Sequence, residues 1–173
     1  MIKHLFSVMF VCSLAISPAS ADVSGLKDIE GKDRTLDEYT GKGKWSVALL
    51  WASDCHVCNL EAEQYIQFHE DNKDKNIHVI GISLDGQKKL DAAKAFIKRH
   101  DVTFPNLIGE FVEVASLYET LTGGEWAGTP TILVFNPAGE LKAAQPGAVP
   151  VELISQFITS QSVAAKSTAN STK

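Results

Sequence analysis

Residues 46–58 read Ser46-Val47-Ala48-Leu49-Leu50-Trp51-Ala52-Ser53-Asp54-Cys55-His56-Val57-Cys58. The first six form a near-continuous apolar run of strand length, the pattern of a strand covered on both faces. A helical pattern begins at Cys55 and continues to about Asn72, with Cys58, Ala62, Tyr65, Ile66 and His69 along one side. Strand, Cys-x-x-Cys, helix is therefore the order. Disulfide formation needs Cα atoms about 4.4–6.8 Å apart, and positions i and i+3 at a helix start satisfy this without backbone movement.

Working outward, the composition sets the frame. The chain has 173 residues, 45% apolar and 21% charged, with a formal charge of −5. Those values fit one globular domain and argue against a nucleic-acid binder, which needs a basic face to offset phosphate. At the N-terminus, Lys3 and His4 precede an apolar stretch from Leu5 to Ile16, then Pro18 and the small-x-small run Ala19-Ser20-Ala21. This predicts a signal peptide over residues 1–21, cleaved after Ala21. About 12 apolar residues are too few to cross a hydrocarbon core of about 30 Å, so a permanent anchor is not expected. Cys12 leaves with that segment, and Phe10-Val11 before it is unlike a lipidation site. Cys55 and Cys58 then remain the only cysteines of an exported protein, which is chemistry rather than a disulfide framework.

Residues 22–161 read as one alternating β/α domain. Leu26 to Tyr39 carries the turn Glu30-Gly31-Lys32-Asp33 and predicts an N-terminal β-hairpin ahead of the main sheet. Ile77 to Leu84 is a second buried strand, ended by Asp85-Gly86. Leu90, Ala93, Phe96 and Ile97 predict a helix stopping near His100, and Phe111 to Leu121 a shorter one. Thr129-Pro130-Thr131 introduces a strand over Ile132 to Phe135, and Asn136-Pro137-Ala138-Gly139 is a tight turn into a pairing strand over Glu140 to Ala144. Pro150 opens a last helix with Leu153, Ile154, Phe157 and Ile158 facing inward. Residues 162–173, rich in Ser, Thr, Ala, Asn and Lys, are predicted to be a disordered tail. The layout is that of a thioredoxin fold: an α/β domain with a mixed central sheet flanked by helices.

The cysteine pair has a direct chemical reading. A helix N-terminus offers Cys55 unpaired N–H groups and the positive end of the helix dipole, both of which favour thiolate. Cys55 is then the nucleophile towards a substrate disulfide, and Cys58, one turn inside the helix, the resolving thiol. Haem attachment would need His where Asn59 stands. A peroxidase would want a hydroxyl residue where Ala52 stands. Structural zinc would need two further close ligands, and His69, His78 and His100 supply no second half; no metal is predicted.

Other residues carry two readings each. Glu61, one turn past Cys58, is a proton acceptor for the cysteines or a surface acid like Glu63. Pro130 is a cis proline that leaves the Thr129 backbone free for an extended substrate, or a trans strand-start proline. His56 tunes the cysteine pKa or points to solvent. Trp126, in Gly123-Gly124-Glu125-Trp126-Ala127-Gly128, shapes a substrate groove or packs.

Trp51-Ala52-Ser53-x-Cys55-x-x-Cys58-x-x-Glu61 resembles the active-site run of the TlpA/ResA-like thioredoxins of the bacterial cell envelope. Asp28-x-x-Gly31-Lys32, Leu36-x-x-Tyr39-x-Gly41-Lys42, Gly128-Thr129-Pro130-Thr131 and Asn136-x-x-Gly139 extend the likeness over about Leu26 to Ile158. The resemblance implies a periplasmic thiol–disulfide oxidoreductase, mainly a reductant, with Glu61 supporting the chemistry and no cofactor beyond the Cys55–Cys58 couple. Its implied partners are protein thiols and disulfides of the envelope and a membrane electron donor of the DsbD/CcdA type. A monomer is expected. Net oxidant or isomerase, and a copper-binding metallochaperone using the dithiol, are the alternatives. Leu49 stands where thioredoxin has a buried aspartate, and the Gly123–Gly128 stretch looks longer than usual in the family.

Overall fold

The computed structural model describes residues 25–171. The expected signal segment and Cys12 lie outside these residues. In chain order the elements are β1 (Lys27–Asp28), β2 (Trp45–Trp51), α1 (His56–Asn72), β3 (Ile77–Ser83), α2 (Leu90–Arg99), β4 (Asn106–Ile108), α3 (Phe111–Thr122), β5 (Thr131–Phe135), β6 (Leu141–Pro146) and α4 (Val151–Ser171). Short 3₁₀ turns occupy Leu36–Glu38 and Gln87–Lys89.

The six strands form one sheet in the order β1-β4-β3-β2-β5-β6. β2, β3 and β4 run parallel, while β1, β5 and β6 pair antiparallel with β4, β2 and β5 respectively. The sheet is mixed, as the sequence predicts.

Every residue of β2 is buried, and alternation splits them between two cores. Trp45, Val47, Leu49 and Trp51 face a cluster with Tyr65 and Phe68 of α1, Phe96 of α2 and Ile154 and Ile158 of α4. Ala48 and Leu50 face the other side, where Ile80 and Ile82 of β3 meet Val114, Leu117 and Tyr118 of α3. Helices thus cover both faces, which is why β2 reads as a continuous apolar run. Each such fully buried aliphatic side chain contributes about 1.5–3 kcal/mol.

Three regions depart from the sequence reading. The N-terminal hairpin is reduced to one bridge, Lys27 with Asp33, around the positive-φ residue Gly31. The free side of β1 joins the main sheet through β4, with Lys27 opposite Ile108. β4 itself, three buried residues between Pro105 and Gly109, has no sequence periodicity to announce it. Finally, α4 continues to Ser171, through most of the stretch predicted to be a disordered tail. No Pro or Gly interrupts 151–171, and its Ala, Gln and Lys residues favour helix. Within α4, Ile154 and Ile158 are buried but Leu153 is exposed, so the inward stripe is narrower than predicted.

The topology gathers the functional segments. The C-terminal ends of the parallel strands β2, β3 and β4 share one end of the sheet. Antiparallel β5 begins at that end, with Thr131 opposite Leu50. The Cys55 loop, the Asp85 turn and Thr129-Pro130 therefore meet there, the position where open α/β sheets carry their sites.

Candidate active site

Cys55 is the N-cap of α1, in extended conformation, and its Sγ accepts the Cys58 N–H at 3.1 Å. The two cysteines form a disulfide with Cα atoms 5.3 Å apart, inside the range such bridges need. Their surroundings differ. Cys58 is only 4% exposed, against a core lining of Leu49, Trp51, Ala62 and Phe96, whereas Cys55 is half-buried. The more open of the two cysteines is therefore the one at the helix terminus.

The loop into Cys55 is held at several atoms. The Cys55 N–H donates to the Ala52 carbonyl at 3.1 Å. Asp85, a buried carboxylate just beyond β3, accepts from the Ser53 N–H at 3.0 Å, the Ser53 hydroxyl at 2.8 Å and the Ser83 hydroxyl at 2.8 Å. Asn59 donates its amide to the carbonyls of Cys55 at 2.8 Å and Ser53 at 3.2 Å. Its Oδ1 accepts from Arg99 at 2.7 Å, and the His100 Nε2 lies 3.0 Å from the same oxygen. Burial, with the nearby Arg99 charge second, lowers the pKa of His100. Asp54 pairs with Lys89 at 2.9 Å, and that hydrogen bond and charge lower its carboxyl pKa. Lys89 thus sets a cation beside the acid that would oppose a Cys55 thiolate.

Below the loop, Trp51 is 1% exposed; its indole N–H donates to Asn106 Oδ1 at 3.0 Å and its ring stacks on Phe96 at 4.2 Å. Gly81 of β3 makes room for this pair. A Cβ there would sit 1.9 Å from Asn106 Oδ1 and 2.8 Å from Trp51 Nε1.

Across the sheet end, the Thr129–Pro130 bond is cis, Pro130 is buried and Thr129 is half-buried. Of the two sequence readings of Pro130, the cis form is the one present. The Pro130 carbonyl accepts from the Gly147 N–H at 2.8 Å. Trp126 is half-buried; its N–H donates to Thr131 Oγ1 at 3.0 Å, and its ring lies 5.5 Å from that of Phe111. It braces the segment leading into Pro130.

Glu61 is half-buried and accepts from the Gln64 amide. Its charge also acts on Tyr65, whose hydroxyl donates to the Val149 carbonyl at 2.9 Å. Burial pushes the Tyr65 pKa up to about 12, so it stays a protonated donor. His56 and Val57 are exposed on the first turn of α1.

The structure brings Cys55, Cys58 and Thr129-Pro130 to one end of the sheet. Sequence reasoning did not single out Asp85 and Asn59, which hold the loop around Cys55. The available signal for Asp85 was an acid placed just after a buried parallel strand, where functional groups collect. Asn59 lies close in sequence to Ser53 and Cys55, but its other partners, Arg99 of α2 and His100 just beyond it, lie about forty positions away.

The signature of the AhpC/TSA family covers residues 20–144. The chain belongs to the AhpC/TSA family. Within it, the similarity to ResA-like proteins read from the motifs recurs over most of the domain. The chain is 26% identical over 133 residues to the thiol-disulfide oxidoreductase ResA of Oceanobacillus iheyensis, a match covering 77% of this chain and 59% of that protein. It is 25% identical over 135 residues to ResA of Geobacillus thermodenitrificans, covering 78% and 72%. The match thus spans about three-fifths of the first relative's length. Among solved structures, the thioredoxin domain of a thiol-disulfide oxidoreductase from Bacteroides vulgatus superposes with a TM-score of 0.63 at 21% identity, covering 82% of this chain and 99% of that one. StoA from Bacillus subtilis gives 0.60 at 22% identity, covering 77% and 93%. This AhpC/TSA-family protein has the thioredoxin fold, with a Cys-x-x-Cys redox pair at the start of α1.

Proposed function

We propose that the protein is a thiol–disulfide oxidoreductase of the bacterial cell envelope that reduces disulfides of other proteins. The carrying observation is the Cys55–Cys58 pair, the half-buried Cys55 at a helix N-terminus and Cys58 buried behind it. In the reduced form, the Cys55 thiolate attacks one sulfur of a substrate disulfide. A mixed disulfide forms, and the other substrate sulfur leaves as a thiolate and takes up a proton. Cys58, deprotonated, then attacks Cys55 Sγ. The Cys55–Cys58 bond forms and the second substrate thiolate is released, so two electrons pass from the pair to the substrate.

In this reading Glu61 takes the Cys58 proton, placed one helical turn beyond it. Thr129 offers its backbone to the extended substrate beside Pro130, and Trp126 sets the wall of that groove. His56, exposed beside the nucleophile, adds a cation when protonated. The couple itself is the only redox group required. A membrane donor of the DsbD/CcdA type would return the electrons, and a monomer suffices. Periplasmic location follows from a signal peptide over residues 1–21. Among the described residues, no helix is long and apolar enough to cross a membrane.

The deciding measurement is the reduction potential of the couple. A value near the roughly −270 mV of thioredoxin supports a reductant, and one near −120 mV makes the protein an oxidant. A Cys58→Ser variant should accumulate mixed disulfides through Cys55 in envelope extracts. Absence of any such adduct would sink the exchange reading.

A further inference from the structure

Ser53 stands two residues before the nucleophile and is held at three separate atoms. Its N–H and its hydroxyl both go to the Asp85 carboxylate, at 3.0 and 2.8 Å, and its carbonyl accepts from Asn59. Asp85 is 8% exposed, and its remaining contacts, with the Ser83 hydroxyl, tie it to the end of β3. Its carboxylate accepts hydrogen bonds from uncharged donors, with the Lys89 charge acting on it from nearby. A buried carboxylate is costly to place, and an apolar residue would fill the same space without that cost. Here the carboxylate joins a rigid strand end to the one short loop that aims Cys55.

We propose that Asp85 is a positioning residue for the Cys55 nucleophile, acting through Ser53. The inference rests on the reading of Cys55 as the attacking thiolate. Asp85 touches neither sulfur. It fixes the backbone of Ser53, and with it the path through Asp54 to the helix N-terminus where Cys55 Sγ sits. Displacement of a reacting atom by about 1 Å can cost up to about 100-fold in rate. The effect of losing this clamp should therefore appear in the attack step itself.

The test uses the full exported domain carrying Cys58→Ser, so that only attack by Cys55 is seen, with a small aromatic disulfide as the probe. Rates are taken far from the unfolding transition, so they refer to folded molecules. Asp85→Ala should slow attack by about 100-fold and Ser53→Ala, which changes no charge, by about tenfold. Asp85→Asn should restore the rate to within about threefold. Its amide oxygen can still accept the Ser53 N–H, and its NH2 can donate to a turned Ser53 hydroxyl. Wild-type attack rates in both alanine variants would overturn the proposal. So would an Asp85→Asn rate as low as that of Asp85→Ala, because charge rather than position would then be responsible. If Asp85→Ala does not fold, Ser53→Ala alone decides by the same criterion. Failure of Cys58→Ser itself to react, with Asp85 intact, removes Cys55 as nucleophile and the inference with it; that outcome is seen before any change at Asp85.

Discussion

Two tryptophans stand on either side of the sheet end, each donating its indole N–H to a side-chain oxygen at 3.0 Å. Trp51 reaches Asn106 beneath the Cys55 loop, and Trp126 reaches Thr131 beside the cis proline. The bonds match, but the settings do not. Trp51 is fully enclosed, stacked on Phe96, with Asp85 and Asn59 fastening the loop above it. Trp126 is half-buried, and the Gly123-Gly124-Glu125 stretch before it is exposed. One side is fixed by many contacts and presents a sulfur. The other is fixed by few and presents backbone. Attack geometry tolerates little variation, and on the proposed reading the Trp126 side, which would meet several polypeptides, needs room to adjust.

The largest effect is expected where the comparison is most one-sided. Cys55→Ser should reduce disulfide exchange to the uncatalysed background while leaving thermal stability near that of the reduced protein. Measurable turnover through Cys58 alone would break the assignment of roles. Next comes the enclosure of Trp51. Gly81→Ala drives a methyl group into the Trp51–Asn106 pair and should destabilise the fold by about 1–3 kcal/mol in a denaturant titration. On the open side, Trp126→Phe keeps an aromatic ring near Phe111 but loses the bond to Thr131, for about 1 kcal/mol. It should raise KM for a protein disulfide and leave the rate with a small disulfide unchanged. An equal change with both substrates would mean that Trp126 serves packing only.

Two smaller effects sharpen the picture. Burial lowers the pKa of His69, whose Nδ1 accepts the Val79 N–H at 3.3 Å. The unfolded chain therefore binds this proton first as pH falls, so stability is full above about pH 6.5 and declines below it. His69→Gln should flatten that decline; His100, shifted the same way, contributes to the slope that remains, as do, at lower pH, carboxylates such as Asp54 whose pKa is lowered. Lys89 and Asp54 are both largely exposed, so Lys89→Gln should leave the unfolding midpoint unchanged within error. Its trace should instead be a small rise in the Cys55 thiol pKa, measured by alkylation against pH.

How much of this was legible in the sequence follows from the range of the interactions. β2, α1 and the β5–β6 hairpin declare themselves through an apolar run, a helical period and the Asn136–Gly139 turn, all local signals. The cysteine spacing and Thr129-Pro130 are local too. β4 is three residues long and owes its existence to strands already in place on either side. Asp85 and Ser53 are 32 positions apart, and each alone looks like an ordinary turn residue. Glu61 was legible as a position. The sequence did not foretell its amide partner Gln64 or its influence on Tyr65.

The two rims of the sheet carry a last consequence. β1 is two residues long and carries Lys27. β6 carries Lys142, ends in Pro146 and meets β5 through an irregularity at Val134/Phe135. Short length, lysine, proline and a bulge are the devices that stop a sheet from templating another strand. The rims of the described sheet therefore offer little template for a further strand. On the proposed reading, a visiting polypeptide is held at the sheet end, beside Pro130 and the cysteines, and not along either rim.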